Sequence, residues 1–417
     1  MEIIGRDIEE EVINWLDRKE IIAIRGSRQC GKTTLLKKIK KVLKERGIDE
    51  KFIHYITFED DIEKERFEKN PKDYFSIYLK DLEKQFFLLD EVQYVSQAGK
   101  LLKLVFDEIE NIKIIITGSS TMDLNEIGSF LVGRVILFEM YPFSFSEFLS
   151  AKDENLYKYY NLKKISLYDK KIKLEELIFI DKLNLLLKEY LTFGGYPAIV
   201  LEKDIEKKKI LLKNLFQTYI EKDVVKIYGS KYSKRIADLI RYLASVNSSM
   251  INYNETSSLI GLYDKEIKEI LHILEATYIV RLVKPYFKNL TTELRKNPKV
   301  YFIDTGLRNA SVNRYEFNDQ EYGELLENYV FCTFKEHEIK YWRTTAKAEV
   351  DFIIDGEIPI ESKATPKLTR SLRSFISSYK SESAFLLNLN NLRTELINNT
   401  KIFIVPFSLV GKSIKSR

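Results

Sequence analysis

The stretch Ile21–Leu43, IIAIRGSRQCGKTTLLKKIKKVL, decides how the first third of the chain folds. Its opening IIAIR is a strand-sized apolar run, and TTLLKKIKKVL repeats apolar residues at helical spacing. Between them Gly26, Ser27, Arg28, Gln29, Cys30, Gly31, Lys32 and Thr33, with Thr34 behind, fit G-x-x-x-x-G-K-[ST] in the strand–loop–helix context that pattern requires. Glycines let backbone N–H groups curl around phosphate oxygens, and the helix N-terminus adds its positive dipole. Lys32 is placed for the β- and γ-phosphates of ATP and Thr33 for Mg²⁺.

Working outward, FIHYITFE, FFLLDEVQYV, KIIITGSS and RVILFEM are further apolar runs separated by amphipathic stretches, the pattern of βαβ units around a parallel sheet. FFLLDEVQYV ends in Asp90-Glu91, at the strand end where such sheets keep their ligands. Asp90 suits Mg²⁺, directly or through water, and Glu91 suits activation of an attacking water. Thr117 and Ser119 close the next strand, and either hydroxyl can sense a γ-phosphate. Arg134 is a candidate to reach the nucleotide of a neighbouring subunit, a role that requires a ring.

These motifs resemble the AAA-type prokaryotic and archaeal ATPases, whose loop typically reads GPRQVGKT where this chain has GSRQCGKT. Ser27 and Cys30 depart from that pattern and leave the glycines, Lys32 and Thr33 intact. The resemblance runs on through ITGSS, Gly133-Arg134, YPFSFSEF and GGYP at 194–197, and into a C-terminal domain of restriction-endonuclease-like type. It implies ATP hydrolysis, with ring assembly, in the manner of a hexamer, typical of AAA-type ATPases generally. The Lys-, Tyr- and Leu-rich stretch 152–190 carries no matching motif and reads as a helical lid.

Farther along, NETSSLIGL and DKEIKEILHILEATYI read as a short capped helix and a longer amphipathic one, followed by the strands VRLVKPYF and KVYFIDTG. Helix, turn, helix and wing is the order of a winged helix, a module that lies on DNA or serves as a protein contact.

The last unit reads as helix, three strands, helix and two strands, AFLLNL and KIFIVPF, and holds EVDFIIDGEIPIESK at 349–363. An Asp ending one strand and Glu-x-Lys on the next is the pattern of the PD-(D/E)XK nuclease-like fold. Asp351, Glu361 and Lys363 match it, and Glu327, in ELLENYVF, matches the extra acid many members place on their first helix. Asp351, Glu361 and Glu327 can hold Mg²⁺, and Lys363 can orient the attacking water. Glu361 and Lys363 share a strand face. Asp351 joins them only if the turn takes three residues or a bulge, because a two-residue turn at Asp355-Gly356 pairs Asp351 with Ile360 and faces it away. The fold is also used for binding alone.

The expected architecture is therefore α/β. It comprises a P-loop AAA-type ATPase domain (1–150), a helical lid or insertion (151–245), a winged-helix domain (246–315) and a PD-(D/E)XK nuclease-like domain with αβββαβ order (316–417). At 417 residues several cores are expected. The 67 basic residues nearly balance 62 acidic ones, so the net charge of +5 is weak support for a polyanionic partner. Two cysteines cannot build a disulfide framework, the start lacks a leader, and no apolar run approaches the roughly 20 residues of a spanning helix. A cytoplasmic protein without membrane segments is expected. Three histidines without metal-ligand spacing argue against zinc, and His272 reads as a packing residue. The expected function is an ATP-hydrolysing, oligomeric protein that binds or remodels DNA, with Mg²⁺-dependent cutting as an added possibility. The alternative is a nucleotide-gated signalling or scaffold ATPase whose last domain is an inactive contact module.

Overall fold

The structure, a computed structural model, describes residues 3–79, 83–118, 128–169, 172, 177–219, 232–287, 293 and 296–412. The chain divides into two compact units, one of residues 1–143 with 276–278, the other of 144–275 with 279–417.

In the first unit five parallel strands stand in the order β2-β3-β4-β1-β5. They are β1 (Ile21–Gly26), β2 (Ile53–Thr57), β3 (Gln85–Asp90), β4 (Ile112–Gly118) and β5 (Val135–Met140). Both faces are covered, as parallel sheets require. Strand alternation sends Ile22 and Ile24 into a core with Leu35, Leu36, Ile39 and Leu43 of the helix Lys32–Glu45. Ile21 and Ala23 point the other way, into a core with Phe67, Phe75, Leu102 and Val105. The lysine that opens KIIIT is buried in that sheet, and its ammonium donates to the carbonyls of Trp15, Arg18 and Glu20 at 2.8, 2.9 and 2.6 Å. Burial lowers its pKa to about 8.

The second unit opens one step earlier than the sequence suggests. Ser144 and Glu147, within YPFSFSEFL, form a capping box that starts the helix Phe145–Lys152, inside the second unit. Helices Glu154–Lys163, Ile180–Phe193, Pro197–Leu201, Ile205–Tyr219 and Ser233–Ser245 come after it. Lys208 is buried against Glu189 at 2.6 Å.

The break at GGYP has a steric cause. Gly194 has φ +75, and a Cβ there would lie 2.2 Å from Asp304 Oδ1. Asp304 accepts from the Gly195 N–H at 2.7 Å and caps the helix Thr305–Ser311 through the Leu307 N–H at 2.8 Å. Burial raises its pKa to about 6.

Two helices, Tyr253–Ile260 and Asp264–Ala276, are followed by the antiparallel strands β6 (Val280–Pro285) and β7 (Lys299–Phe302). This hairpin is continuous with the C-terminal strands. β6 also pairs in parallel with β8 (Ile339–Arg343), giving one sheet of order β12-β13-β11-β10-β9-β8-β6-β7. The remaining strands are β9 (Glu349–Ile354), β10 (Ile358–Ser362), β11 (Ser383–Asn388), β12 (Arg393–Ile397) and β13 (Thr400–Pro406). A boundary at 315/316 therefore cuts through a continuous sheet, and contacts gather the chain after 143, apart from 276–278, into one unit. Helix Asp319–Phe334 precedes β8 and helix Arg370–Tyr379 follows β10, so the αβββαβ order is present. The strand RTELI (β12), whose polar alternation hid it, is added at the edge.

Candidate functional sites

The loop after β1 brings together the residues its motif named. Gly26 is required by packing: a Cβ there would lie 1.9 Å from the Met140 carbonyl oxygen on neighbouring β5. Gly31 takes φ +102 and Gln29 φ +55, which curl the backbone into the helix Lys32–Glu45. The Lys32 ammonium is buried and donates to the carbonyls of Gly26 at 3.0 Å and Ser27 at 2.9 Å. The Ser27 hydroxyl is fully buried without a hydrogen-bond partner, and Cys30 Sγ donates to the Met140 carbonyl at 3.4 Å. Arg28 and Thr34 lie within the same turn and first helical residues.

Asp90 is a hub. Its Oδ2 accepts from Thr33 Oγ1 at 2.7 Å and from Tyr55 OH at 2.8 Å, while Oδ1 accepts from Thr117 Oγ1. Thr117 in turn accepts from the Glu91 N–H at 3.1 Å. Glu91 sits in the left-handed region at φ +56, an uncommon conformation for a residue with a Cβ, and accepts from Gln93 Nε2. Thr33 and Asp90 are one hydroxyl and one carboxylate side by side beside the loop after β1. That donor set fits Mg²⁺ completed by phosphate oxygens and water.

Ser119 lies outside the described residues. Arg134 is not near this edge: it precedes β5, whose Val135 is level with Ile21, while the loop begins level with Met140. Five residue steps along the strand separate the two edges by roughly 16 Å. Arg134 pairs with Asp107 at 2.7 and 3.1 Å.

Two residues of this site escaped the sequence. Arg6 donates to the Cys30 carbonyl and to the Tyr141 carbonyl, each at 2.6 Å, pinning the loop to the segment after β5. Tyr55 is the polar member of an alternating strand, a weak signal shared by many surface tyrosines.

In the second unit the turn between β9 and β10 spans three residues, with Asp355 and Gly356 at positive φ. The ladder pairs Ile354 with Ile358 and Phe352 with Ile360, the shifted register that sets Asp351 level with Glu361. Both carboxylates are buried, and Lys363 Nζ lies 3.9 Å from Asp351 Oδ2 and 3.8 Å from Glu361 Oε1. The Ser362 N–H donates to Asp351 Oδ2 at 2.8 Å. Thr369 Oγ1 donates to Glu361 Oε2 at 2.5 Å and also caps the following helix. Burial pushes the Glu361 carboxyl up to about 7, with the Asp351 charge adding to it. Burial alone would lower Lys363, but Asp351, Glu361 and Glu327 outweigh it and raise its pKa.

Glu327 is placed differently from expectation. Its Oε1 accepts from Tyr301 OH at 2.6 Å and pairs with Lys299 Nζ at 3.1 Å. Lys299, on β7 and 3% exposed, also pairs with Glu349 Oε1 at 2.6 Å, and Glu349 Oε2 takes Arg343 at 3.2 Å. Burial works against the Lys299 charge, but Glu327, Asp351 and Glu349 outweigh it and keep the ammonium above its ordinary value. Among the described residues no three His, Cys, Asp or Glu side chains are grouped to hold a metal ion. The three-carboxylate set expected from sequence is thus not assembled, because Lys299 and Tyr301 claim the Glu327 oxygen. The alternation Lys-x-Tyr in KVYF places both on one strand face and was the available clue.

His272 is exposed, not packed. Tyr160 is core and donates to the Val410 carbonyl at 3.0 Å. Among the described residues no helix is long and apolar enough to cross a membrane.

Residues 18–149 match an AAA domain, 184–316 a domain of unknown function (DUF8612) and 322–410 another (DUF4143). The chain is 30% identical over 370 residues to the uncharacterized protein MJ1544 of Methanocaldococcus jannaschii, covering 85% of this chain and 76% of that one. It is 28% identical over 356 residues to an uncharacterized protein of Haemophilus influenzae, covering 82% of each. Domain III of the Thermotoga maritima replication initiation protein DnaA aligns at 19% identity and a TM-score of 0.28, over 50% of this chain and 89% of that one, a likeness too slight to carry an argument.

Proposed function

The chain belongs to the family of the Methanocaldococcus jannaschii protein MJ1544 and carries an AAA domain, and we propose that it is an ATP-hydrolysing protein that assembles as a ring and acts on DNA. The observation that carries the ATPase reading is the 2.7 Å bond from Thr33 to Asp90, which joins the phosphate-binding loop to the acidic strand end as one ion-holding pair. In turnover the Lys32 ammonium leaves the Gly26 and Ser27 carbonyls for phosphate oxygens, an exchange of neutral acceptors for charged ones. Thr33 and Asp90 would hold Mg²⁺, which would supply neutralisation of phosphate charge. Glu91 orients the water and accepts its proton, and Thr117 keeps Asp90 and the Glu91 backbone in register.

For the second unit we take Asp351, Glu361 and Lys363 as a phosphodiester site of nuclease-like type. Their convergence on one sheet face through the three-residue turn supports this. Asp351 and Glu361 would hold the ion and Lys363 would face the scissile phosphate.

One observation favours the alternative, a nucleotide-gated scaffold. The helix Asp264–Ala276 would be the reading helix of a winged module, yet its solvent side carries Asp264, Glu266 and Glu269 against Lys265 and Lys268. Phosphate contact asks for the opposite balance.

The deciding experiment measures ATP hydrolysis with and without DNA, and DNA binding across a salt series. The reading expects stimulation by DNA and an affinity that falls steeply with salt. A rate indifferent to DNA, with no salt-dependent binding, rejects it in favour of the scaffold.

A further inference from the structure

Lys299 is a buried ammonium inside the nuclease-like site, delivered by a strand outside the αβββαβ core. β7 belongs to the hairpin that joins this sheet through the β6–β8 pairing. From there Lys299 Nζ contacts Glu327 at 3.1 Å and Glu349 at 2.6 Å, and lies 5.6 Å over the Tyr341 ring. Tyr301, two residues along the same strand, donates to the same Glu327 oxygen. A fixed cation therefore stands where Glu327 would otherwise face an ion.

We propose that Lys299 is the resident cation of this site, doing by an ammonium what a second divalent ion would do, so that the site accepts one divalent cation at Asp351 and Glu361 and none at Glu327. The inference rests on the nuclease-like reading of the second unit and adds a limit to it. A carboxylate already shared by an ammonium and a phenol offers a divalent ion no net gain over them. The remaining pair differs: Asp351 and Glu361 are both buried, and their cationic neighbour Lys363 stays at 3.8–3.9 Å, longer than a direct hydrogen bond. Charge is balanced on one side of the site and left for an ion on the other.

The test counts Mn²⁺ bound by the full chain in an Asp90→Asn background, which silences the first site, using titration calorimetry and electron paramagnetic resonance. One ion per chain is expected, lost in Asp351→Asn. Lys299→Met is expected to admit a second ion by freeing Glu327. Removing one partner of a buried pair can unfold the domain, so the double variant Lys299→Met/Glu327→Gln, which removes both charges together, is measured as well and is expected to keep one ion. Two ions in the Asp90→Asn protein, or loss of the ion in the double variant, overturns the role of Lys299 and leaves the metal site itself standing. No bound ion at all overturns both.

Discussion

The hydroxyl of Thr33, in the first turn of the helix after β1, and the carboxylate of Asp90, at the end of β3, meet at 2.7 Å although β1 and β3 are not neighbours; β4 runs between them. The contact is made at the C-terminal edge of the sheet, where the loop after β1 reaches across β4 toward the end of β3. Removing either end should separate ion binding from phosphate binding. Asp90→Asn and Thr33→Ala are each expected to lower the ATPase rate by about 10²-fold or more while leaving ATP binding measurable, and Lys32→Ala to weaken both. Phosphate release paired with nucleotide binding by fluorescence checks this. Equal loss of binding in all three variants would assign Thr33 and Asp90 to the fold of the loop alone.

Gly26→Ala should act through β5, not through the nucleotide. Its Cβ would stand 1.9 Å from the Met140 carbonyl oxygen, so two paired strands must part. A lower Tm is expected even without ATP, by thermal melting. An unchanged Tm with lost ATP binding would place the glycine's role in the phosphate cradle instead.

Arg6→Ala withdraws two donors from backbone carbonyls, those of Cys30 and Tyr141. The cost is about 1.5–3 kcal/mol, the range for a hydrogen bond to a charged group. Because Arg6 touches the loop's backbone and no phosphate-facing side chain in these contacts, the KM for ATP should rise with kcat changed less. Steady-state kinetics over a range of ATP concentrations reads the split.

Asp304 carries a pH dependence whose sign can be worked out. Its buried carboxyl has a pKa near 6 against an ordinary 3.8, so between those values the folded state holds a proton that the unfolded state has released. Stability therefore falls as pH rises through that window, by up to about 3 kcal/mol. Asp304→Asn should flatten this slope while losing one of the two acceptors that hold Gly195 and Leu307. Denaturant melts at pH 4, 5, 6 and 7 check it; a slope unchanged in the variant assigns the dependence to other carboxyls. Gly194→Ala, which would set a Cβ 2.2 Å from Asp304 Oδ1 at a positive φ, should destabilise more than Asp304→Asn does.

Local pattern by itself determined most of the elements and picked out Lys32, Thr33, Asp90, Asp351, Glu361 and Lys363 as candidates. The strand–loop–helix of Ile21–Leu43, the apolar run ending in Asp90-Glu91 and the Asp351, Glu361 and Lys363 spacing are short-range features, set by residues close in the chain. Even the three-residue turn followed from demanding that Asp351 and Glu361 share a face, because strand alternation allows no other register without a bulge. Tertiary structure alone decided the rest. Lys299 and Glu327 are 28 residues apart and meet only because the hairpin adds β6 and β7 to the edge of the C-terminal sheet. Arg6 and Cys30 meet because the N-terminal segment folds back over the loop. Arg134 lies at the edge of the sheet away from the loop because β1 and β5 run parallel and level, so a motif position next to β5 says which strand it precedes and not how far it stands from the loop. Alternation and spacing report the face a residue takes within its own element; which distant charge it meets there depends on strand order, which no single segment encodes.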